Sequence, residues 1–408
     1  MVKKQILLIL PTRTYRARAF LEAARRLQLD VVVASEEGST LAHLRPASEL
    51  VIDLDDPVLA AREVAERAVG MAIEAVVPAD DGAVLAAAHI SQRLGLRGSS
   101  PEAVAATRNK FLLRQRLAAA GLPQPRWWLW RHGEPPPASS FPAVIKPLDQ
   151  AASHGVIRAD DQAQLVRAGE RTRRAVSHQV DCGEDISATD LLVEEFIPGP
   201  EVAVEGILSD GILRILAVYD KPEALDGPFF EETVYTVPSE LAAAELDRVT
   251  GSVQAAVRGL GLSQGAVHAE LRLGGLEPQV VDLASRSIGG RCSAVLRFRS
   301  GRSLEEIVLM SALGEDLGDL VLAPETRGVM MMPVPRAGKL DSVAGGDLVL
   351  GREGIDGVEM AIPLGGAVLP LPEGDRYLGF IFGHGNNARE VTALLRTAYQ
   401  DLGVVITD

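Results

Sequence analysis

The chain has 408 residues, 47% of them hydrophobic and 24% charged, which is enough to bury the cores of about two to four globular domains. Its 41 basic residues against 55 acidic ones leave a formal charge of −14, and this excludes a general nucleic-acid or anionic-membrane surface, which needs a basic footprint. No apolar stretch approaches the ~20 residues of a membrane span. The two cysteines, Cys182 and Cys292, are too few for a disulfide framework and lack zinc spacing, so both read as buried thiols.

In chain order, the start MVKKQILLILPTRTY has too short an apolar run for a signal peptide and no small-residue cleavage site. It reads as the first strand of a cytoplasmic protein. Gln5–Leu10 and Asp30–Ala34 read as strands, with a helical period over Ala17–Leu29 between them. A second helix is predicted over Asp53–Val69, a strand over Ala75–Pro78 and a third helix over Asp81–Leu94. This series predicts a parallel, doubly wound sheet. The loop Pro11-Thr12-Arg13-Thr14 lacks the GxGxxG dinucleotide fingerprint, so this domain is assigned no cofactor.

Pro101–Gly121 reads as one helix capped by Ser100. A Pro-, Gly- and Trp-rich linker follows, with a strand at Arg126–Trp130 whose tryptophans suit a domain interface. Strands are predicted at Ala143–Lys146 and Leu191–Ile197, the second closed by Pro198-Gly199-Pro200. Asp210-Gly211 is a hairpin signal joining Val202–Ser209 to Ile212–Asp220. The tail, Leu320–Asp408, reads as a separate small domain ending in a helix near Ala388–Leu402.

The most informative segment is Ala266–Arg291, in which Glu270 and Asp282 lie on two short strands around a Gly-Gly turn, with Arg286 just beyond. Paired carboxylates without Cys or a metal-spaced His cluster suit a hard cation such as Mg²⁺, which often shares its oxygen ligands with nucleotide phosphates. Lys146 ends an apolar strand and precedes a small-residue loop whose backbone N–H groups suit phosphate, although a surface lysine and an ordinary turn read the same way. The strand end Glu194–Glu201 offers backbone groups for an adenine edge and Glu201 for ribose hydroxyls, or is simply a solvated acidic edge. His268 shares a strand face with Glu270 and reads as a hydrogen-bonded structural histidine or a substrate contact. The segments Tyr219–Pro222 and Gly227–Glu232 form a loop too long for a plain hairpin, with Glu205 and Glu232 as candidates for a substrate ammonium.

The ordered series Thr-Arg-Asn-Lys at 107–110, Val-Ile-Lys-Pro at 144–147, Glu-Glu-Phe-Ile-Pro-Gly-Pro-Glu at 194–201, His-Ala-Glu at 268–270 and Asp-Leu-Ala-Ser-Arg-Ser-Ile-Gly-Gly at 282–290 resembles the ATP-grasp superfamily, and within it the L-amino-acid ligase-like carboxylate–amine ligases. The resemblance implies an α/β ATP-grasp fold. Its parts would be an N-terminal parallel α/β domain (1–106), a β-rich lid (107–195), a central antiparallel-sheet ATP-grasp domain (196–320) and a small C-terminal α+β domain (321–408). It implies Lys110 and Lys146 on ATP phosphates under a closing loop of Ser153, His154 and Gly155. Glu194 would meet the adenine amino group beside the hinge of Glu195, Phe196 and Ile197, while Glu201 would hold the ribose. Glu270 and Asp282 would bind one or two Mg²⁺ ions, with Mn²⁺ as a substitute. Arg286, with Lys146, would be catalytic and face the transferring phosphate. Ser287, Gly289 and Gly290 would bind the substrate carboxylate.

The implied activity joins a carboxylate, as its acyl phosphate, to an amine. The partners would be small molecules, without nucleic acid or membrane, and the common assembly a homodimer. Two departures stand out. Asp282 replaces the usual Glu, and Ala284 replaces an Asn, removing one expected metal or phosphate contact. Two alternatives stay open: a carboxylase or purine-pathway ligase, for which Arg291, Arg297 and Arg299 are a candidate phosphate cluster, and, suggested by Asp282 and Ala284, a non-catalytic ATP-binding regulatory protein.

Overall fold

The computed structural model describes residues 4–12, 14–36, 48–177 and 190–408. Arg13 and Cys182 lie outside the described residues. Four parallel strands form the N-terminal sheet in the order Ser48–Val51, Asp30–Ser35, Gln5–Ile9, Ile73–Pro78. Their side chains alternate between two buried faces, Ile6, Leu8, Val31 and Val33 on one and Leu7, Ile9 and Val32 on the other. A parallel sheet is built this way because helices cover both faces. Ser48–Val51 is a strand the sequence pattern does not announce, and the helix expected over Asp53–Val69 runs Pro57–Arg67, capped by Asp56. The loops Pro11–Thr12 and Asp80–Gly82, at the carboxyl ends of this sheet, open into the main cleft.

The helix expected over Pro101–Gly121 is two helices, Pro101–Arg108 and Lys110–Ala119. Asn109 leaves helical dihedrals (φ −120°) and its Oδ1 accepts from the N–H groups of Phe111 and Leu112 at 3.0 and 3.1 Å. Both helices pack on the central sheet through Val104, Leu113 and Leu117, together with Val249, Val253 and Leu260 of the long helix Ala243–Leu260. The lid therefore begins after them, not at 107. Its four antiparallel strands run in the order Trp127–Trp130, Leu191–Glu195, Ala143–Pro147, Ile157–Ala159 under the helix Gln162–Ser177. Trp130 fills that core, and it lies so close to Gly169 that a Cβ there would sit 2.2 Å from the indole. Trp127 instead meets Phe111 edge-on at 5.5 Å, at the junction between lid and central helices.

The central sheet has eight antiparallel strands, in the order Gln279–Ala284, Gly265–Arg272, Glu201–Ser209, Ile212–Lys221, Val234–Val237, Thr326–Met332, Gly379–Gly385, Ile355–Met360. Along Glu201–Ser209, Val202, Val204 and Leu208 face the long helix while Ala203 and Ile207 face the helix Leu304–Ala312, which packs in turn on the N-terminal domain, the period of two of a sheet buried on both sides. The Asp210-Gly211 turn has positive φ at both residues (51° and 78°), as a tight two-residue hairpin requires.

The tail is less separate than expected. It has its own sheet (Ala367–Val368, Gly338–Ala344, Gly403–Thr407) and its own helix, Ala388–Asp401. Three of its strands nevertheless extend the central sheet through pairing of Thr326–Met332 with Val234–Val237. A buried apolar edge strand must pair, and this one pairs across the sequence. Among the described residues no helix is long and apolar enough to cross a membrane.

Candidate active site

Glu270 and Asp282 are direct cross-strand partners in the hairpin. Opposed residues of an antiparallel pair project to the same face, and both side chains line a cleft of about 1040 Å³ where the N-terminal domain, lid, central sheet and tail converge. The strand then ends, and Arg286 turns toward the N-terminal sheet. Its Nε and Nη2 donate to Asp81 Oδ2 at 2.9 and 2.7 Å, and its Nη1 to the Ser287 carbonyl at 3.1 Å. Burial pushes the Asp81 carboxyl up, but the guanidinium groups of Arg286 and Arg108 outweigh it and hold it at about 2. Asp81 fixes the arginine that the sequence singles out, and the Asp80-Asp81-Gly82 run after a buried parallel strand was the available signal.

Lys110 begins its helix, its Nζ donating to the Gln150 carbonyl at 2.5 Å and lying 3.8 Å from Asp282 Oδ2. Lys146 is buried and its Nζ sits 2.7 Å from Glu194 Oε2. Glu194 Oε1 accepts from Arg114 Nε at 2.5 Å, and the other two guanidinium nitrogens of Arg114 donate to the Val280 and Val281 carbonyls at 2.8 Å. Burial pushes the Glu194 carboxyl up, yet Arg114 and Lys146 hold it at about 2. Arg114, which the sequence reading passed over, thus ties the hinge strand to the strand carrying Asp282.

In the loop after Lys146, Ser153 lines the cleft in a left-handed conformation (φ 55°). His154 and Gly155 do not line it. His154 is buried, with Nδ1 at 3.2 Å from Gln150 Oε1 and burial lowering its pKa. The Gly155 N–H donates to the Pro372 carbonyl of the tail at 2.8 Å, so this part of the loop packs against protein rather than facing the cleft. Glu195, Phe196 and Ile197 do line the cleft, but the N–H groups of Glu195 and Phe196 are taken by the Arg126 and Pro142 carbonyls. The Phe196 ring lies under Arg158 (4.5 Å) and Arg272 (5.4 Å).

Glu201 reaches the cleft wall with both oxygens engaged, Oε1 by Lys221 Nζ and Oε2 by Arg272 Nε, each at 2.6 Å. Glu232 Oε1 accepts from the same ammonium at 2.5 Å and Glu270 Oε1 at 3.0 Å. Burial and Glu270 push the Glu232 carboxyl up. His268 stands between Glu205 Oε2 (3.2 Å) and Glu270 Oε1 (3.6 Å); burial lowers its pKa, but the two carboxylates beside it raise it to about 8.

Several expected substrate contacts fall elsewhere. Glu205 is fully buried beneath His268, where it also accepts the Ile288 N–H at 2.9 Å, and it does not line the cleft. Glu232 already holds an internal ammonium. The Ser287 hydroxyl and carbonyl are taken by the buried Arg16, at 2.7 and 3.1 Å. Gly289 and Gly290 do line the cleft. Cys292 is a buried thiol, pushed up by burial to about 12. Of the suggested phosphate cluster, Arg291 pairs with Glu359 at 2.8 and 3.0 Å, and none of Arg291, Arg297 and Arg299 lines the cleft.

A four-stranded antiparallel lid over an antiparallel sheet, with two lysines and paired carboxylates at their junction, defines an ATP-grasp protein. Residues 139–295 match the ATP-grasp domain and residues 21–98 the ATP-grasp N-terminal domain. The crystal structure of an L-amino acid ligase from Bacillus licheniformis superposes with a TM-score of 0.82 at 25% identity, covering 100% of this chain and 99% of that one. Protein y4rH of Sinorhizobium fredii (strain NBRC 101917 / NGR234) is 26% identical over 88% of this chain and 74% of its own length. Dapdiamide A synthase of Enterobacter agglomerans is 27% identical over 57% of this chain, which spans only 54% of that enzyme. The chain belongs to the ATP-grasp superfamily, its two matched domains together spanning more than half of its length.

Proposed function

We propose that the chain activates the carboxylate of an amino acid with ATP and joins it to the amine of a second amino acid, giving a dipeptide-like amide, ADP and phosphate. What supports this best is that Lys110, Lys146, Glu270, Asp282 and Arg286, drawn from helix, lid and hairpin, line one cleft. A carboxylate acylates poorly. Its oxygen therefore attacks the γ-phosphorus of ATP, ADP leaves, and the amine nitrogen displaces phosphate from the acyl phosphate, its extra proton passing to solvent. Phosphoryl transfer of this kind needs positioning and charge neutralisation more than covalent groups from the protein.

The donor set at the hairpin is all oxygen, from paired carboxylates on one face, and fits Mg²⁺ or Mn²⁺. When bound, such an ion neutralises charge on the phosphate oxygens. Lys110 and Lys146 bind phosphate, and Phe196 with Ile197 packs the base. Arg286, aimed by Asp81, meets the transferring phosphoryl group, while Gly289 and Gly290 let substrate approach the backbone. The lid excludes water from the reactive intermediate. A carboxylase or purine-type reading loses its support, since its basic cluster lies off the cleft.

An amino-acid-pair matrix with ATP and Mg²⁺, read by phosphate release and by mass spectrometry of positive wells, tests the proposal. Phosphate release that depends on amino acids, with a product lighter by one water than the summed pair, is expected. Release stimulated by bicarbonate alone would overturn it in favour of a carboxylase, and the absence of release from every pair in favour of a non-catalytic ATP-binding protein.

A further inference from the structure

Lys221 ends the strand Ile212–Lys221, directly opposite Glu201 at the start of the neighbouring strand. Glu270 comes from the next strand over and Glu232 from the loop before Val234–Val237. Carboxylate oxygens of Glu201, Glu232 and Glu270 lie within 4.8 Å of one another, a grouping of the kind that holds a hard divalent ion. The Lys221 ammonium already stands inside it, at 2.6, 2.5 and 3.0 Å from the three carboxylates, with its side chain only 3% exposed.

The stoichiometry of that contact is informative. An ammonium has three N–H donors and no acceptor, and here it meets three carboxylates. The oxygens sit at hydrogen-bond distances, whereas Mg²⁺ draws its ligands to about 2.0–2.1 Å in an octahedron. Arg272, donating at once to Glu201 and to the Gly199 and Leu225 carbonyls, sets a second cation on Glu201. Both contacts that Glu270 makes here, to Lys221 and His268, use Oε1. Ala284, on the strand that carries Asp282, adds no oxygen of its own side chain to compensate.

We propose that Lys221 is a built-in cation occupying the place a second divalent ion would take, so that the chain binds a single divalent ion with its nucleotide. This rests on the reading that Glu270 and Asp282 hold that ion. Lys221 then keeps three acidic side chains together at the cleft wall.

The test is equilibrium dialysis of the full chain with Mn²⁺, with and without ADP, on the wild type, Lys221→Met and Lys221→Arg. The wild type is expected to hold about one Mn²⁺ per bound ADP, and Lys221→Met to gain about one further ion that binds without nucleotide. Lys221→Arg, which keeps a cation in place, gains none. Two ions per ADP in the wild type would overturn the inference, and this arm needs no variant to fold. A folded Lys221→Met, checked by circular dichroism, whose Mn²⁺ binding matches the wild type would overturn it as well. A wild type that holds no Mn²⁺ with ADP would instead contradict the Glu270–Asp282 reading, and the gain or its absence in Lys221→Met would still decide the role of the lysine.

Discussion

The carboxylates around the cleft are of two kinds. Glu194 is buried, with Arg114 and Lys146 both within 2.7 Å, and Glu201 has a cation on each oxygen. Asp282, across the same cleft, is 36% exposed and meets Lys110 only at 3.8 Å. The saturated carboxylates tie segments of the frame together, and the more exposed Asp282, opposite Glu270, is the one to which the proposed function gives a divalent ion. In sequence all of them look like acidic residues at strand ends.

Substitutions that break this contrast should differ in what they damage. The largest effect on turnover is expected from Glu270→Gln and Asp282→Asn, which should lose nearly all amino-acid-dependent phosphate release; the melting curve of Asp282→Asn should stay close to wild type, whereas Glu270→Gln, which also weakens the contacts to Lys221 and His268, should melt lower. Near-normal release in either variant would show that the Glu270–Asp282 pair is not the reacting end. Arg286→Lys should follow, with kcat reduced about 10²–10³-fold, since a point charge does not reproduce the fork that Asp81 aims.

The saturated group should behave in the opposite way. Arg114→Met leaves Glu194 buried with half its compensation and should cost about 3–5 kcal/mol in denaturant unfolding. A loss of activity at unchanged stability would contradict a framing role.

The smallest expected effect is on acid stability. Asp81 and Glu194 both sit at about 2 in the folded protein, below the ordinary carboxylate values of 3.8 and 4.5. Depressed folded values mean that the stabilisation is present above the unfolded pKa and lost as pH falls toward about 2, about 2–3 kcal/mol for each group. Unfolding measured between pH 6 and pH 3 should show this loss, with a shallower slope in Glu194→Gln than in the wild type. An equal slope in both would remove Glu194 from the account.

How far the sequence could be read follows from the range of each interaction. Glu270 and Asp282 were legible because a Gly-Gly turn and a period of two fix which residues face each other within one hairpin. The parallel N-terminal sheet was legible for the same local reason. The pairs Arg286–Asp81 and Arg114–Glu194 join residues far apart in the chain and leave no local pattern. Lys221 sat in a loop already singled out for its charges, but three carboxylates from separate strands and a loop meet at it only once the sheet order is known. The tail looked independent for a similar reason, because the Thr326–Met332 strand finds its partner at Val234–Val237.

Oxygen transfer from a labelled substrate tests the central claim most directly. With an accepted amino-acid pair, the activated carboxylate is supplied with ¹⁸O in both positions, and the phosphate released is weighed. Activation as an acyl phosphate predicts one ¹⁸O in each phosphate, with ADP as the nucleotide product. Unlabelled phosphate, or AMP and pyrophosphate in place of ADP and phosphate, would contradict it.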